Sequence, residues 1–421
     1  MRELESRYPQ QLAVIGVHSG KYHAERVTKR IRDASIRLGA QHPVVNDRQF
    51  RIWRGFAVSA WPTVVAVDQR GYVVGAHAGE FTAAMLVPFI ERLLTSAPSP
   101  EATETEPHFP VDVPVIAPTA LRYPGKVAVD GKRIAISDSG NHRVLVGTLD
   151  ASGLRMDVAR TIGGRSDFED GFNASFNSPQ GVTFSGNRLY VADAGNHAVR
   201  SVDLDTGEVS TVPGNGRQLR THEDRESGSL STPWDLVVAG ETLYIAMAGI
   251  HQLWAMSKGS VRPRIHAGAG GEDIRDGPLE EALLAQPMGI ASVGNRLYFA
   301  DSESSAIRWA DSEAAGKVGT LVGTGLFDFG DVDGPGDQVR LQHPQDVAPH
   351  PNGRLLIADS YNDCLKWIDP EIRTATKWVG GLSEPGGVAC GERHAYVADT
   401  NAHRIAVIPY DSAEVAELTM E

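Results

Sequence analysis

Short apolar runs, LAVIGV (12–17), PVVN (43–46), TVVAVD (63–68) and YVVGAHA (72–78), alternate along the first 95 residues with stretches of a longer period. In AERVTKRIRDASIRL (24–38), QFRIWRGFAV (49–58) and AAMLVPFIERLL (83–94), apolar positions recur every three or four residues. The first kind of run predicts strands and the second amphipathic helices, so residues 1–95 read as an α/β domain. Residues 96–110 carry Pro, Ser, Thr and Glu with no apolar periodicity, a composition that predicts a linker.

Past residue 110 the pattern becomes short β-type runs separated by Gly, Asn and Asp, and the chain repeats itself. Six prolines lead a Pro-x-x-apolar strand: Pro124, Pro179, Pro233, Pro287, Pro344 and Pro385. Counting from each, Asp138, Asp193, Met247, Asp301, Asp359 and Asp399 fall at offsets of 14, 14, 14, 14, 15 and 14. Four residues later stand His142, His197, His251, Ser305, Asp363 and His403. Each copy holds four short strands, as in GVTFSG, RLYVAD, HAVRSVD and EVSTV. One such sheet cannot bury both faces, and six stacked around an axis can, so residues 111–421 predict a six-bladed β-propeller. The last blade supplies GGVAC, HAYVAD, RIAVIPY and AEVAELTM.

The lead prolines are 55, 54, 54, 57 and 41 residues apart, so four of the five intervals carry an insertion before the next proline. Asp-Gly at 170–171, 276–277 and 333–334 marks the same bend in three of them. Equivalent insertions emerge at equivalent loops, which predicts a collar around one mouth of the channel and binding there.

Charge refines the picture. Residues 1–96 hold 13 Lys+Arg against 8 Asp+Glu, a balance of +5, and the remainder of the −13 chain therefore carries −18. So acidic a second part argues against nucleic acid and anionic membrane as partners. No apolar run reaches the roughly 18 residues that span a bilayer, and MRELESRYPQQ has no signal-peptide pattern, so a cytoplasmic location is expected. Two cysteines, Cys364 and Cys390, provide neither a disulfide framework nor a thiolate metal cluster, and both read as core residues.

LYVADAGNH (189–197) and IADSYN (357–362) resemble the NHL repeat, whose family folds as a six-bladed propeller. HPVVND (42–47), WPT (61–63), YIAMAGIHQ (244–252) and DSESS (301–305) extend the resemblance to the NHL repeat-containing protein 2 family over nearly the whole chain. That family joins a thioredoxin-like domain to the propeller, and the resemblance implies both here. Similar members carry a C-x-x-C segment ahead of the helix that would be Met1 to Tyr8, and this sequence has none. The strand leading into that segment would lie between LAVIGV and TVVAV, so its loss predicts two unpaired sheet edges inside the first domain. A start codon upstream of Met1, the segment Val111 to Ile116, or a partner's strand would fill the gap. The resemblance also implies a cis proline at Pro62, where Trp61, Pro62 and Thr63 would hold an extended partner. Without a thiolate beside them, no disulfide exchange can run.

The repeated histidines share one slot in separate blades, which predicts hydrogen-bonding braces within each blade rather than a metal cluster. At Asp331-Val332-Asp333-Gly334-Pro335-Gly336-Asp337 a calcium loop fails, because Pro335 stands where an EF-hand needs an oxygen ligand. Residues following the lead prolines, Gln180, Trp234, Asp235, Met288, Gln345 and Asp346, should converge on the channel. Their mixture suits neither a hard-cation cage nor a histidine zinc site, so no cofactor or metal is expected, and Trp234 is the natural anchor for a protein or peptide. Three functions follow: a non-catalytic scaffold with a redox-inactive first domain, a thiol-disulfide oxidoreductase whose cysteines lie upstream, and a channel-centred metal-dependent hydrolase or lyase.

Overall fold

The computed structural model describes residues 1–96, 118–260 and 262–421. Apart from Ser96, the linker expected at 96–110 lies outside the described residues, as does Val111 to Ile116. The chain forms two compact units, Met1–Ala117 and Pro118–Glu421.

In the first unit helices α1 (Arg2–Arg7), α2 (Thr28–Arg37), α3 (Arg51–Gly55) and α4 (Ala83–Ser96) accompany four strands. Strand β1 (Gly16–His18) pairs in parallel with β2 (Val44–Asn46), and β3 (Thr63–Val67) pairs antiparallel with β4 (Val73–Ala78). The expected strand LAVIGV shrinks to its last residues, because among the described residues β2 is the one strand that pairs with it. The expected helix 24–38 breaks at Val27, whose extended backbone (φ −87°, ψ 117°) separates a 3-10 turn at Ala24–Arg26 from α2.

The second unit is a six-bladed propeller of antiparallel sheets. Each blade's first strand lies innermost, and these strands neighbour one another in ring order from Val127–Asp130 to Pro385–Cys390 and back. Alternating apolar residues on the second and third strands, such as Leu189, Val191, Val202, Leu297 and Phe299, fill the space between blades. The last expected strand divides: Ala416–Glu417 completes blade six, and Thr419–Met420 crosses to pair in parallel with Arg155 and Met156 on the outer strand of blade one. That clasp closes the ring, with Leu418 buried between the two segments.

The insertions correct the expectation of a collar. Gly277–Pro278 and Gly334–Pro335 pair with the outermost strands Lys317–Val322 and Thr374–Gly380, and Gly171 bridges Val209. Each of these three insertions therefore runs outward over the blade that follows it and straps that blade's rim. The remaining one, before Pro233, instead folds a short helix at His222–Glu226 behind a Thr221–Asp224 capping box.

Candidate functional site

Every blade joins its second and third strands by a 3-10 turn that ends in a left-handed residue: His142, His197, His251, Ser305, Asp363 or His403. The residue ahead of each lead proline, Tyr123, Ser178, Thr232, Gln286, His343 or Glu384, is left-handed as well. These two sets meet across the seams. Ser178 N–H donates to His142 Nδ1, Thr232 to His197 and Gln286 to His251, each at 3.1 Å. His343 N–H donates to Ser305 Oγ, Glu384 to Asp363 Oδ1, and Tyr123 to His403 Nδ1, which closes the ring. The repeat histidines, with Ser305 and Asp363 in the same slot, thus staple each blade to the next, a correction to the brace within one blade. Their partners lie some 35 residues away in sequence, set by blade stacking and not by local spacing.

Burial, aided by the Arg220 charge, lowers the pKa of His197, and burial with Arg122 lowers that of His142. A depressed imidazole contributes stability that is present above its unfolded pKa of about 6.5 and is lost as pH falls. His197→Asn keeps an acceptor and tolerates the left-handed backbone without titrating. Urea unfolding should show wild type losing more stability than this variant between pH 7 and pH 5.

The recurring aspartates turn inward. Asp193 Oδ1 accepts Asn177 N–H and Asp301 Oδ1 accepts Ala285 N–H, two residues ahead of the proline. Their second oxygens bind fully buried cations, Arg200 and Arg308, each at 2.8 Å. The same guanidiniums reach the strap carboxylates Asp170 at 2.6 Å and Asp276 at 3.0 Å. In blade five Lys366 plays this part among Asp359, Asp331 and Asp333. That ammonium lies 2.7 Å from Asp331 and 3.6 Å from Asp359, two members of the Asp331, Asp359 and Cys364 group whose ligand atoms lie within 4.8 Å of one another, and its charge opposes a metal ion there. Burial pushes Asp359 up to about 6 against the pull of Lys366. The third acid of the rejected calcium loop, Asp337, pairs with Arg373.

Blade three departs from its siblings. Met247 replaces the aspartate, and Gln252 with Trp254 takes the place of the cation, the indole donating to Gln252 Oε1 at 2.9 Å. A second staple is missing on both of its sides. Ser139, Ser302, Ser360 and Thr400 donate to the carbonyls of Pro179, Pro344, Pro385 and Pro124 in the next blade. Alanines 194 and 248 stand in that position ahead of Pro233 and Pro287. The two seams without the hydroxyl are therefore those beneath Trp234 and Met288.

Two residues after each lead proline the innermost strands carry Lys126, Gly181, Asp235, Gly289, Asp346 and Gly387 in ring order. Charges alternate with glycines, and the glycines are required by close approach. A Cβ on Gly181 would lie 2.5 Å from Asp235 Cα, on Gly289 2.6 Å from Asp346 Cα, and on Gly387 2.8 Å from Lys126 Cα. The buried Lys126 ammonium reaches Gln345 O at 2.6 Å, Asp346 Oδ1 at 2.9 Å and Asp235 Oδ2 at 3.6 Å. Asp235 Oδ2 also accepts Ile290 N–H of blade four, and Asp346 Oδ2 accepts Val388 N–H of blade six. Burial pushes Asp235 up to about 7; Lys126 opposes the shift and Asp346 adds to it.

Of the residues expected at the channel, Asp235 and Asp346 are thus brought together, through a lysine the sequence reading passed over. Its signal was the register two places after each proline. Gln180, Trp234 and Gln345 are half-buried one residue nearer the mouth, whereas Met288 is buried.

In the first unit Pro62 follows a cis bond. Trp61 is 48% exposed, donates its indole N–H to Ser19 O at 2.8 Å and packs on Trp53 with ring centroids 4.5 Å apart. Thr63 turns its hydroxyl back to Ala60 O. Asp47 caps α3 by accepting the N–H groups of Arg51, Ile52 and Trp53 and the Ser19 hydroxyl. Burial alone would raise its pKa, and these donors together hold it below the usual range.

Six stapled blades with this turn chemistry define a β-propeller of NHL type, and the NHL repeat model matches residues 121–146 and 176–200. NHL repeat-containing protein 2 of Gallus gallus is 37% identical, covering 98% of this chain and 64% of that protein. The Homo sapiens protein of that name is 34% identical over 99% and 65%. Protein SUPPRESSOR OF QUENCHING 1, chloroplastic, of Arabidopsis thaliana is 35% identical over 99% and 43%. The chain belongs to the NHL repeat-containing protein 2 family and spans just under two thirds of the length of the chicken and human relatives. Among solved structures, a chain of the nidogen/laminin complex is similar over 67% of this chain and 91% of its own, at 13% identity and a TM-score of 0.48.

Proposed function

We propose that the propeller is a non-catalytic scaffold that takes a protein or peptide at its channel mouth, anchored on Trp234 with Gln180, Met288 and Gln345 around it. The observation that carries this reading is the asymmetry of the ring. Blade three gives up its buried aspartate and the hydroxyl staples on both sides, and it presents a half-buried tryptophan at that place. Tryptophan in a partly sheltered pocket is the residue type that dominates protein interfaces.

Channel chemistry favours binding over catalysis. Asp235 and Asp346 are committed to Lys126 and to backbone N–H groups of neighbouring blades, so no open carboxylate pair remains for a hydrolase or lyase centre. Burial pushes the Cys390 thiol up to about 12 and raises that of Cys364 as well, so neither is a thiolate nucleophile at neutral pH.

The first unit serves as a redox-inactive thioredoxin-like domain, in which Trp61, Pro62 and Thr63 offer a second binding edge. The whole is cytoplasmic and binds neither nucleic acid nor membrane. No helix among the described residues is long and apolar enough to cross a bilayer.

Affinity capture of cellular proteins on wild type and Trp234→Ala, followed by quantitative mass spectrometry, tests the scaffold. A partner should drop about tenfold or more on the variant, while urea unfolding stays unchanged. Equal recovery of every captured protein would remove the mouth from the binding site.

A further inference from the structure

At the first position after each lead proline the ring reads Gly125, Gln180, Trp234, Met288, Gln345 and Gly386. The adjacent glycines of blades one and six thus face Trp234 and Met288 across the channel, with one glutamine on either side. Both carboxamides lean toward the glycines. A Cβ on Gly125 would collide with Gln180 Oε1, and one on Gly386 would lie 3.5 Å from Gln345 Oε1 and 3.1 Å from Gly125 O. Two amides, from blades two and five, therefore approach the seam between blades six and one. Beneath them Lys126 is held by Asp346, Asp235 and the carbonyl of Gln345.

These polar groups are not paired within the ring. Among the described residues neither carboxamide has a hydrogen-bond partner, nor has the Trp234 indole N–H, although all three side chains are half-buried. Elsewhere in blade three the same groups are satisfied: Gln252 donates to Gly268 O and accepts the Trp254 indole N–H. Sheltered donors and acceptors that converge without a protein partner are fit to bind a ligand.

Their chemistry selects it. Each glutamine presents an NH2 donor beside a C=O acceptor, and the indole adds another donor. A primary amide answers both kinds of group in one plane, and Trp234 and Met288 offer an apolar wall to the methylenes behind it. The floor holds one cation against two carboxylates, so an incoming carboxylate meets no uncompensated positive charge. Asp235 and Asp346 are bound to Lys126 and to the N–H groups of Ile290 and Val388, so an incoming ammonium meets no open anion. We propose that the mouth recognises a primary amide, the side chain of a glutamine or asparagine displayed by a peptide, read by Gln180 and Gln345 with its stem against Trp234 and Met288. This deepens the scaffold reading and rests on it for the existence of a peptide partner.

NMR of the full chain with 15N-labelled indoles tests the socket, Trp234→Phe assigning the Trp234 N–H resonance. The probe is N-acetyl-glutamine N-methylamide, titrated to about 100 mM because ligands of this size bind in the millimolar range. The Trp234 resonance should move and saturate while the other indoles do not change. The glutamate, lysine and norleucine analogues keep the main-chain amides and should bind about tenfold or more weakly. So should the glutamine probe on Gln180→Leu/Gln345→Leu, whose urea unfolding should match wild type. A silent Trp234 resonance, undiminished binding to that variant, or equal binding of the norleucine analogue would overturn the proposal. Equal binding of the glutamate or lysine analogue would overturn its preference for a neutral amide. A partner captured through Trp234 alongside a silent probe would remove the amide and keep the scaffold, and a responsive probe with no captured partner would do the reverse.

Discussion

Lys126→Met should lower the unfolding free energy of the propeller by about 3–5 kcal/mol at pH 8. The substitution keeps the length of the side chain and removes the positive charge held between Asp346 and Asp235. Two carboxylates then face each other in a site nearly closed to water, where an unpaired charge costs far more than an exposed one. The loss must depend on pH. Asp235 sits at about 7 in the fold, against about 3.9 unfolded. An acid whose folded pKa is raised contributes stability that is present below its unfolded pKa and is lost as pH rises through the folded value. Without the lysine that folded value climbs further, so the penalty at pH 6 should be smaller than at pH 8. Adding Asp235→Asn should recover part of the stability at pH 8, because the amide needs no counterion. Denaturant titrations of the three proteins at both pH values check this, and an equal loss at both would mean the triad does not carry charge in the fold.

Arg308→Met should cost a similar amount, about 3–5 kcal/mol, because it leaves Asp301 buried without its cation. The guanidinium also ties the strap to the blade through Asp276 and the carbonyls of Leu283 and Arg275. Blade three contains the control. There Met247 and Trp254 occupy the corresponding positions and stay buried, so an apolar pair can replace the ionic one. Asp301→Met/Arg308→Trp should therefore unfold nearer to wild type than Arg308→Met does. Arg404→Met, whose side chain is partly open to water beside the fully buried Asp399, should cost less than Arg308→Met, because water can reach one side of the pair. Thermal and urea unfolding of these variants separate the fully buried pair from the partly open one.

What the sequence made legible follows the range of each interaction. Strand order within a blade is local, and the constant spacing from Pro to Asp to His located all six copies. Partners across a seam are not local, so His142 and its equivalents looked like braces of their own loops. The straps misled for the same reason: Asp170 and Asp276 read as turn residues, and only stacked blades show them capturing Arg200 and Arg308. Lys126 escaped because Gly125 follows Pro124, and the alternation of charge and glycine becomes visible only when the second position is compared around the ring. Met247 did stand out from the repeat. The missing hydroxyls at Ala194 and Ala248 gain meaning from the carbonyls that their counterparts bind in the neighbouring blade.

Site-specific crosslinking tests most directly whether partners bind at the mouth beside blade three. A photoreactive residue in place of Gln180 would report from the mouth, and one in place of Glu241, on an exposed turn between the first two strands of blade three, would report from the opposite end of the strands. A discrete protein adduct is expected from position 180 that disappears with Trp234→Ala, and none from position 241. Adducts from position 241 alone, or adducts from position 180 that persist in Trp234→Ala, would contradict it.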